Sequence, residues 1–163
     1  MPNRDTPPNR KSALVRLSVS DADRLATLHA ASFAAPSAWS APDFSRFLKL
    51  DTCMGLALVS DDFVLAFALF QGVAPETELL TLCTHPSHRQ QGQAEHLLKA
   101  AENALSQAGF NRIFLEVSER NTAAISLYRK LGFICISTRE SYYSNRNGNT
   151  AAQIMAKDFA GQT

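Results

Sequence analysis

Hydrophobic residues recur along the chain at two spacings, one typical of helices and one typical of strands. The first pattern is helical, since Leu25 and Leu28 follow Asp21 at helical intervals and either Ser20 or Asp21 can serve as the N-cap. A second short helical pattern begins after Ser40, another residue suited to an N-cap. We therefore expect two helices near the amino end of the domain.

The next segments have the composition of strands. Residues 56–59 and 63–70 are apolar stretches separated by the polar segment 60–62, which suits a tight turn, so they predict a hairpin. A third strand is expected over 77–84. It ends before Pro86, because proline has no N–H to donate to a sheet.

The longest helix is predicted directly after Gly92. Apolar residues from Ala94 to Ala108 recur at steps of three and four residues, which places them on one helix face. Gly109 stands where a left-handed residue commonly ends a helix. This segment therefore indicates an amphipathic helix with one buried side.

Strand and helix alternate over the rest of the chain. Alternating apolar residues predict a strand over 113–117, and a helical pattern runs over 121–131. Two last strands are expected over 133–137 and 153–159, joined by a polar loop that includes 144–149. The fold class is α/β, with a mostly antiparallel start that passes into a β-α-β-α-β unit, where ligands favour the carboxyl ends of the strands.

Composition and charge suit one globular domain. The chain has 163 residues, of which 45% are hydrophobic and 19% charged, so we expect a single domain over 13–160 after a disordered polar tail, residues 1–12. The net charge of +1 gives no electrostatic basis for binding nucleic acid or an anionic membrane. No apolar run approaches the roughly 20 residues that span a bilayer.

Cysteines and histidines give no sign of a metal site. Cys53, Cys83 and Cys135 are far apart and form no Cys-x-x-Cys pair, which indicates a reducing compartment and hence a cytoplasmic location. The histidines lie in different predicted elements without a close cysteine or carboxylate partner. We expect them at the surface or behind the functional site: His29, His85, His88 and His96.

An anion site is possible where the third strand leads into the long helix. Residues 89–94 read Arg-Gln-Gln-Gly-Gln-Ala, a polar run that enters the helix directly. Backbone N–H groups of 91–94 can converge on phosphate oxygens, because Gly92 permits close approach and the helix dipole adds positive potential. Taken alone, the segment is equally compatible with a short loop that has a glycine near a helix start.

Segment 89–94 resembles the acetyl-CoA motif Gln/Arg-x-x-Gly-x-Gly/Ala of the GCN5-related N-acetyltransferase (GNAT) superfamily. Three later segments follow in the superfamily's order: Leu-Glu-Val at 115–117, Asn-Thr-Ala-Ala-Ile at 121–125 and Leu-Tyr-Arg-Lys-Leu-Gly-Phe at 127–133. They are similar to its second cofactor region. The resemblance extends over nearly the whole chain and implies a GNAT fold, with a central mixed sheet of six or seven strands and about four helices.

A narrower resemblance rests on a combined pattern of Trp39-Ser40 with Phe44, His85-Pro86 before the 89–94 loop, the segments 115–117 and 121–125, and Tyr142-Tyr143. With this pattern the chain resembles, within the superfamily, the RimI-type ribosomal-protein alanine N-acetyltransferases. This resemblance implies transfer of an acetyl group from acetyl-CoA to the N-terminal alanine of a small-subunit ribosomal protein, by direct attack. A small amine or another protein is the alternative acceptor, and a non-catalytic coenzyme-binding module is the rival of another class.

The resemblance also implies where acetyl-CoA binds. The backbone of 82–84 pairs with the pantetheine arm and its N–H groups stabilise the oxyanion, while 89–94 hold the pyrophosphate. Two residues depart from the usual motif. Gln90 replaces a frequent arginine, and Arg89 could compensate for the lost positive charge; Gln93 stands at a position that is more often apolar or basic. The residues expected to bind the coenzyme are Leu82, Cys83, Thr84, Arg89, Gln90, Gln91, Gly92, Gln93, Ala94 and Asn121.

Glu116 is the candidate general base. It lies between Leu115 and Val117, so its side chain projects to the other face of the strand, near the strand end. By resemblance it falls on the base position of the RimI-type enzymes. Glu78 and Glu119 are alternative bases. The structural alternative for Glu116 is a solvated carboxylate on a half-exposed strand. A weak base suffices, because an N-terminal amine with a pKa near 8 is already about a tenth neutral at pH 7.

Tyr128 is the candidate general acid. It lies seven residues after Asn121, nearly two helical turns, so the two side chains share one helix face. A phenol stays protonated at neutral pH, so it can donate a proton. The resemblance implies that Tyr128 protonates the CoA thiolate and that Asn121 makes a polar contact to the CoA arm. A core aromatic and an N-cap are the structural alternatives for these residues.

Two aromatic features near the expected acceptor side are ambiguous. Trp39 lies in the loop between the first two helices and could anchor a lid or pack on the second helix. Tyr142 and Tyr143 could border a peptide groove or stack within the sheet. The partners expected are thus acetyl-CoA and a protein N-terminus, with no nucleic acid, membrane or metal.

Overall fold

One mixed sheet carries the strands of the computed structural model, which describes residues 11–34, 36–140 and 150–159. In these ranges the strands are β1 (Ala13–Arg16), β2 (Cys53–Ser60), β3 (Phe63–Val73), β4 (Glu76–Thr84), β5 (Arg112–Ser118), β6 (Ile134–Arg139) and β7 (Ala152–Asp158). The helices are α1 (Ala22–Ser32), α2 (Ala41–Leu48), α3 (Gln93–Gln107) and α4 (Thr122–Lys130). The predicted α/β class, sheet size and helix number are confirmed for the described part of the chain.

The sheet runs in the order β1-β2-β3-β4-β5-β7-β6. Neighbouring strands from β1 to β4 are antiparallel, β4 and β5 are parallel, and β7 is antiparallel to both of its neighbours. The last strand in the chain therefore lies between β5 and β6. The β-α-β-α-β unit was predicted, but this insertion was not.

Helix ends follow the local chemistry of their terminal residues. Ser40 caps α2, since its Oγ accepts the N–H of Asp43 at 3.3 Å and its own N–H donates to the Asp43 carboxylate at 2.9 Å. Gly109 (φ +90°) and Gly132 (φ +95°) are left-handed residues just beyond the ends of α3 and α4. These boundaries match the predicted ones closely because such signals act within a few residues.

β1 was not predicted from the sequence. Only Val15 of its four residues is even half-buried, so no alternation of buried and exposed positions announces a strand. The segment is extended because it pairs with β2, with Ala13 opposite Val59 and Arg16 opposite Leu56. Lys11 and Ser12 of the expected tail are described without regular structure, whereas residues 1–10 and the expected loop at 144–149 lie outside the described residues.

The sheet separates two hydrophobic cores. On one side, called the α3/α4 face, α3 and α4 pack on residues of β2 to β5 and β7; on the other, called the α1/α2 face, α1 and α2 pack mainly on β2 to β4. The α3/α4 core includes Leu97, Leu98, Leu105, Ile113, Leu115, Val117, Ile125 and Tyr128. The α1/α2 core includes Leu25, Leu28, Phe44, Phe67, Leu69 and Cys83.

No described helix is both long and apolar enough to cross a lipid bilayer.

Candidate active site

A gap in the sheet lies between β4 and β5. The two strands pair only where Glu76 to Glu78 oppose Arg112 to Phe114. Beyond that point β4 remains paired with β3 and β5 remains paired with β7, but no described residue pair joins β4 to β5. A bulge at Leu80 bends β4 just past the last pair, since Leu79 opposes Phe70 and Thr81 opposes Leu69. The carboxyl-terminal half of β4 therefore borders an open slot.

Backbone donors of β4 point into this slot. The N–H of His85 donates to Leu65 O of β3 at 2.8 Å. Because N–H groups alternate in direction along a strand, those of Leu82 and Thr84 point away from β3 and toward the slot. Cys83 is placed differently: its side chain is buried against α1, where Sγ contacts Ser32 Oγ at 3.2 Å. Within 82–84, the predicted donors to a ligand are thus the outer two residues.

The loop before α3 has the backbone of an anion site. Gln90 (φ +58°) and Gly92 (φ +75°) are both left-handed, a conformation that turns nearby N–H groups toward one side. A Cβ placed on Gly92 would meet no atom within 4 Å, so the space beside it is open. The first helical bond runs from His96 N to Gly92 O at 2.9 Å, which leaves the N–H groups of Gln93 and Ala94 without helical acceptors.

A cavity of about 430 Å³ adjoins this helix start. It is lined by Gln91, Gly92 and Gln93 of the predicted motif, by His96 one turn into α3, and by Lys11 from the segment before β1. Arg89, the first residue of the motif, is exposed to solvent. The structure thus brings the motif residues together around open space, with basic side chains available to an anion.

The charge of Glu95 in the first turn of α3 is compensated. Its carboxylate contacts Lys130 Nζ at 2.6 Å and Lys99 Nζ at 2.7 Å. Hydrogen bonds from Lys130 and then Lys99 lower the pKa of Glu95 from 4.5 to about 2. An uncompensated carboxylate here would repel a phosphate, so the two lysines preserve the positive end of the helix dipole.

Tyr128 lies on the α3/α4 face with its ring in the core. The residue is 7% exposed, and its ring packs against Phe133 with centroids 5.6 Å apart. Burial raises the pKa of Tyr128 to about 12, so the phenol is protonated at physiological pH. No hydrogen bond to its hydroxyl is formed within the described part of the chain. The core-aromatic interpretation is thus correct for the ring, and the hydroxyl remains a free proton donor.

Glu116 lies on the α1/α2 face, between the two core residues Leu115 and Val117. Its side chain is 43% exposed and pairs with Arg139 of β6, whose Nη1 is 3.4 Å from Oε2. The same face of β5, β6 and β7 carries a partly apolar exposed area, the open patch, defined here by five residues. They are Phe114, Glu116, Ile134, Arg139 and Ile154.

The other polar candidates have distinct places. Glu78 opposes Phe114 in the sheet and shares the face of Glu116, at the closed end of the slot. Glu119 follows β5, and its N–H donates to Ala151 O at 2.9 Å. Asn121 is the N-cap of α4, with Oδ1 accepting the N–H of Ala124 at 3.2 Å. The N-cap alternative for Asn121 is correct, and a contact to the CoA arm would involve its other amide atoms.

Two residues near the site were not singled out as functional. Arg139 could have been noticed only from the pairing of β6 with β7, which the sequence does not reveal. His29 was expected at the surface or behind the site. It is 2% exposed in the α1/α2 core, one helical turn after Leu25, so the surface alternative is wrong for this histidine. No group of three or more potential metal ligands occurs among the described residues. Tyr142 and Tyr143 lie outside the described residues.

Trp39 packs on α2. Its ring stacks on Phe47 with centroids 4.9 Å apart and an interplanar angle of 20°, and it is tilted against Phe44 at 5.4 Å. These contacts correspond to the expected packing on the second helix. They also fix the connection between α1 and α2 on the same side of the sheet as Glu116.

The chain is similar to known acetyltransferases. The profile of the acetyltransferase (GNAT) family matches residues 23–133. The [ribosomal protein bS18]-alanine N-acetyltransferase of Haemophilus ducreyi is 36% identical over 104 residues, 63% of this chain and 72% of that protein. The protein of that name from Escherichia coli K12 is 34% identical over 103 residues, 63% of this chain and 70% of that one.

Solved structures agree with the sequence comparison. The crystal structure of the ribosomal-protein-S18-alanine N-acetyltransferase from Escherichia coli has a TM-score of 0.83 and 27% identity, covering 94% of this chain and 97% of that chain. Arabidopsis thaliana NAA60 in complex with acetyl-CoA has a TM-score of 0.74 at 17% identity, covering 91% and 98%, which shows a shared fold.

Proposed function

The chain belongs to the acetyltransferase (GNAT) family, and we propose that it transfers the acetyl group of acetyl-CoA to the N-terminal alanine of ribosomal protein bS18. Two sets of findings support this acceptor: the relatives of that name at 36% and 34% identity, and the structure of such an enzyme at a TM-score of 0.83. The proposal also places the protein in the cytoplasm, where ribosomal proteins are made.

The observation that carries the proposal is the slot between β4 and β5, with a phenol on one face of the sheet and a carboxylate on the other. Acetyl transfer to an amine requires a proton acceptor for the amine and a proton donor for the leaving thiolate. Glu116 lies on the α1/α2 face and Tyr128 on the α3/α4 face. A thioester in the slot would therefore have the proton acceptor on one side and the proton donor on the other.

We assign acetyl-CoA to the slot and the adjoining cavity. The N–H groups of Gln91 to Ala94 would hold the pyrophosphate. Lys11, which lines the cavity, and the exposed Arg89 at the start of the motif would supply positive charge. The N–H groups of Leu82 and Thr84 would pair with the pantetheine arm and the thioester oxygen. Each assignment uses a donor for which no hydrogen-bond acceptor is found among the described residues.

The proposed chemistry is a direct attack. The neutral amine nitrogen bonds to the thioester carbon as Glu116 takes a proton from it, directly or through a water molecule. The carbon–sulfur bond then breaks, and Tyr128 protonates the departing thiolate. The products are an acetylated N-terminus and free CoA. Before the next turnover, Glu116 releases its proton and Tyr128 regains one from solvent.

The shape of the acceptor side favours a peptide over a small amine. The open patch around Glu116 is broad and partly apolar, with Ile134 65% exposed and Phe114 and Ile154 half-buried. An extended peptide can bury such a surface, whereas a small amine gains most of its affinity from an enclosed pocket.

Acetylation of synthetic peptides tests the proposal. The full chain is incubated with acetyl-CoA and a peptide that has the N-terminal sequence of bS18 starting at alanine, and CoA release and peptide mass are measured. The same peptide with a blocked N-terminus is the control and should not react. Release with small amines but not with the peptide would favour the alternative acceptor. Thermal stabilisation by acetyl-CoA without release to any acceptor would favour a coenzyme-binding module.

A further inference from the structure

His29 of α1 is the most enclosed polar side chain of the α1/α2 core. It is 2% exposed, and its ring stacks on Phe33 with centroids 4.2 Å apart. Phe44 meets the same ring edge-on at 5.5 Å, and Trp39 lies at 5.6 Å. A polar ring in such surroundings requires satisfied nitrogens, because each unpaired buried polar atom is costly.

Both ring nitrogens of His29 have partners on other elements. The backbone N–H of Trp39 donates to Nδ1 at 3.0 Å, so Nδ1 is the unprotonated nitrogen. The proton therefore resides on Nε2, which donates to Thr81 Oγ1 at 3.1 Å. Burial lowers the pKa of His29 below its ordinary value, which favours this neutral form.

Both partners of His29 lie on the α1/α2 face of the sheet, the face that also carries Glu116. Trp39 belongs to the connection between α1 and α2, directly before the Ser40 cap. Thr81 belongs to β4, next to the bulge at Leu80 and directly before Leu82, whose N–H points into the slot. One imidazole thus ties the connection to the strand that borders the slot.

The connection itself has few other backbone anchors. Among its described residues, the N–H of Ser37 donates to Ala34 O at 2.9 Å, a bond within the connection that fixes nothing to the sheet. Apolar packing is the other contact that holds Trp39: its ring contacts Phe44 and Phe47 of α2 and His29, and it packs against the α1/α2 core. The hydrogen bond to His29 therefore supplies the directional link between this connection and the sheet.

We propose that His29 is a positioning residue for the acceptor: by bridging Trp39 and Thr81 it holds the α1–α2 connection beside the open patch, where that connection contacts the acceptor near Glu116. The inference rests on the proposed function, because it needs an acceptor bound on this side of the sheet. His29 itself touches neither substrate. Its effect is on acceptor binding, because the donors assigned to acetyl-CoA are backbone N–H groups and the residues of the loop before α3, none of which bonds to His29.

Thr81 offers a matched pair of variants that tests the bridge. Thr81→Val keeps the shape of the side chain and removes the oxygen that accepts from His29, whereas Thr81→Ser keeps that oxygen. We expect Thr81→Val to raise the KM for the acceptor about tenfold, the effect of one lost hydrogen bond. The KM for acetyl-CoA should stay within about twofold, and Thr81→Ser should resemble the wild type.

Trp39 provides a second readout that needs no turnover. It is the single tryptophan of the chain, so its fluorescence reports on the connection alone. We expect Thr81→Val, and His29→Gln, to make Trp39 more accessible to a neutral quencher than in the wild type. Thr81→Ser should leave quenching unchanged. A purely structural role for His29 would lower the melting temperature of Thr81→Val without these two changes.

Three results would overturn the inference: an unchanged acceptor KM in folded Thr81→Val, an equal rise of both KM values, or identical Trp39 quenching in the Val and Ser variants. Failure of the proposed function looks different, because the wild type itself would then fail to acetylate the peptide. If it accepts a small amine instead, the same variants are assayed with that amine, and an unchanged KM overturns the inference. A wild type without any acceptor overturns both.

Discussion

Glu116 and Tyr128 lie on opposite faces of the sheet. Glu116 of β5 is on the α1/α2 face, while Tyr128 of α4 packs in the α3/α4 core with Leu115 and Val117, the two neighbours of Glu116 along the strand. In a continuously paired sheet, backbone would separate these groups. The unpaired stretch between β4 and β5 removes that barrier, so a substrate in the slot can meet a carboxylate from one face and a phenol from the other.

Replacing Tyr128 by phenylalanine should lower kcat by about 10²-fold to 10³-fold, the usual contribution of a general acid. The ring is retained and its hydroxyl has no described hydrogen bond, so the change in stability should be below about 1 kcal/mol. Steady-state kinetics with acetyl-CoA and the peptide measure the first effect, and urea unfolding the second. Unchanged turnover would remove the acid assignment. A large loss of stability would indicate a hydroxyl with a structural role.

Replacing Glu116 by glutamine should lower kcat/KM for the peptide by about 10²-fold at neutral pH. The defect should shrink as the pH rises past about 8, because more of the N-terminal amine is then neutral without a base. The pH profile of kcat/KM measures this. Glu78→Gln and Glu119→Gln are the matched controls and should retain activity, whereas a larger defect in either of them would move the base to that residue.

Replacing Gly92 by alanine should weaken acetyl-CoA binding by about tenfold or more. The residue is left-handed at φ +75°, which costs an L-residue roughly 1–2 kcal/mol, and the new methyl group would enter the open space assigned to phosphate. Gly109→Ala is the control, since Gly109 is also left-handed, at φ +90°, but follows the other end of α3. It should lower stability similarly and leave the Kd for acetyl-CoA unchanged; equal effects on Kd would contradict the assignment.

Stability should depend on Glu95 in acid. Lys130 and Lys99 lower its pKa to about 2 from 4.5, so the folded state holds the charged form more strongly than the unfolded chain does. The resulting stabilisation is complete above about pH 4.5 and is lost as the pH falls toward 2. Urea unfolding across this range should therefore show a steeper decline for the wild type than for Glu95→Gln. Parallel curves would mean that the two lysines do not stabilise the folded state through Glu95. Added salt should reduce any difference, because the ion pairs of Glu95 with Lys99 and Lys130 are solvated.

Local patterns along the chain determine most of the elements. Gly109 and Gly132 end their helices at the predicted places, and the alternation around Glu116 correctly indicated both a strand and the side chain's direction. These signals depend on residues within one or two turns of each other, so no knowledge of distant segments is needed. The motif at 89–94 likewise depends on a loop and the helix that directly follows it.

Contacts between distant segments were decided by the tertiary structure. β1 exists because β2 offers it a partner, and Arg139 reaches Glu116 because β7 enters the sheet between their strands. His29 at an apolar helix position carries no sign in the sequence of its link to Thr81, 52 residues later. The sequence determined which residues could supply a base, an acid and an anion site. Which faces they occupy, and the slot that joins them, depended on how the strands pair, because pairing is set by the mutual fit of whole surfaces and not by neighbours along the chain.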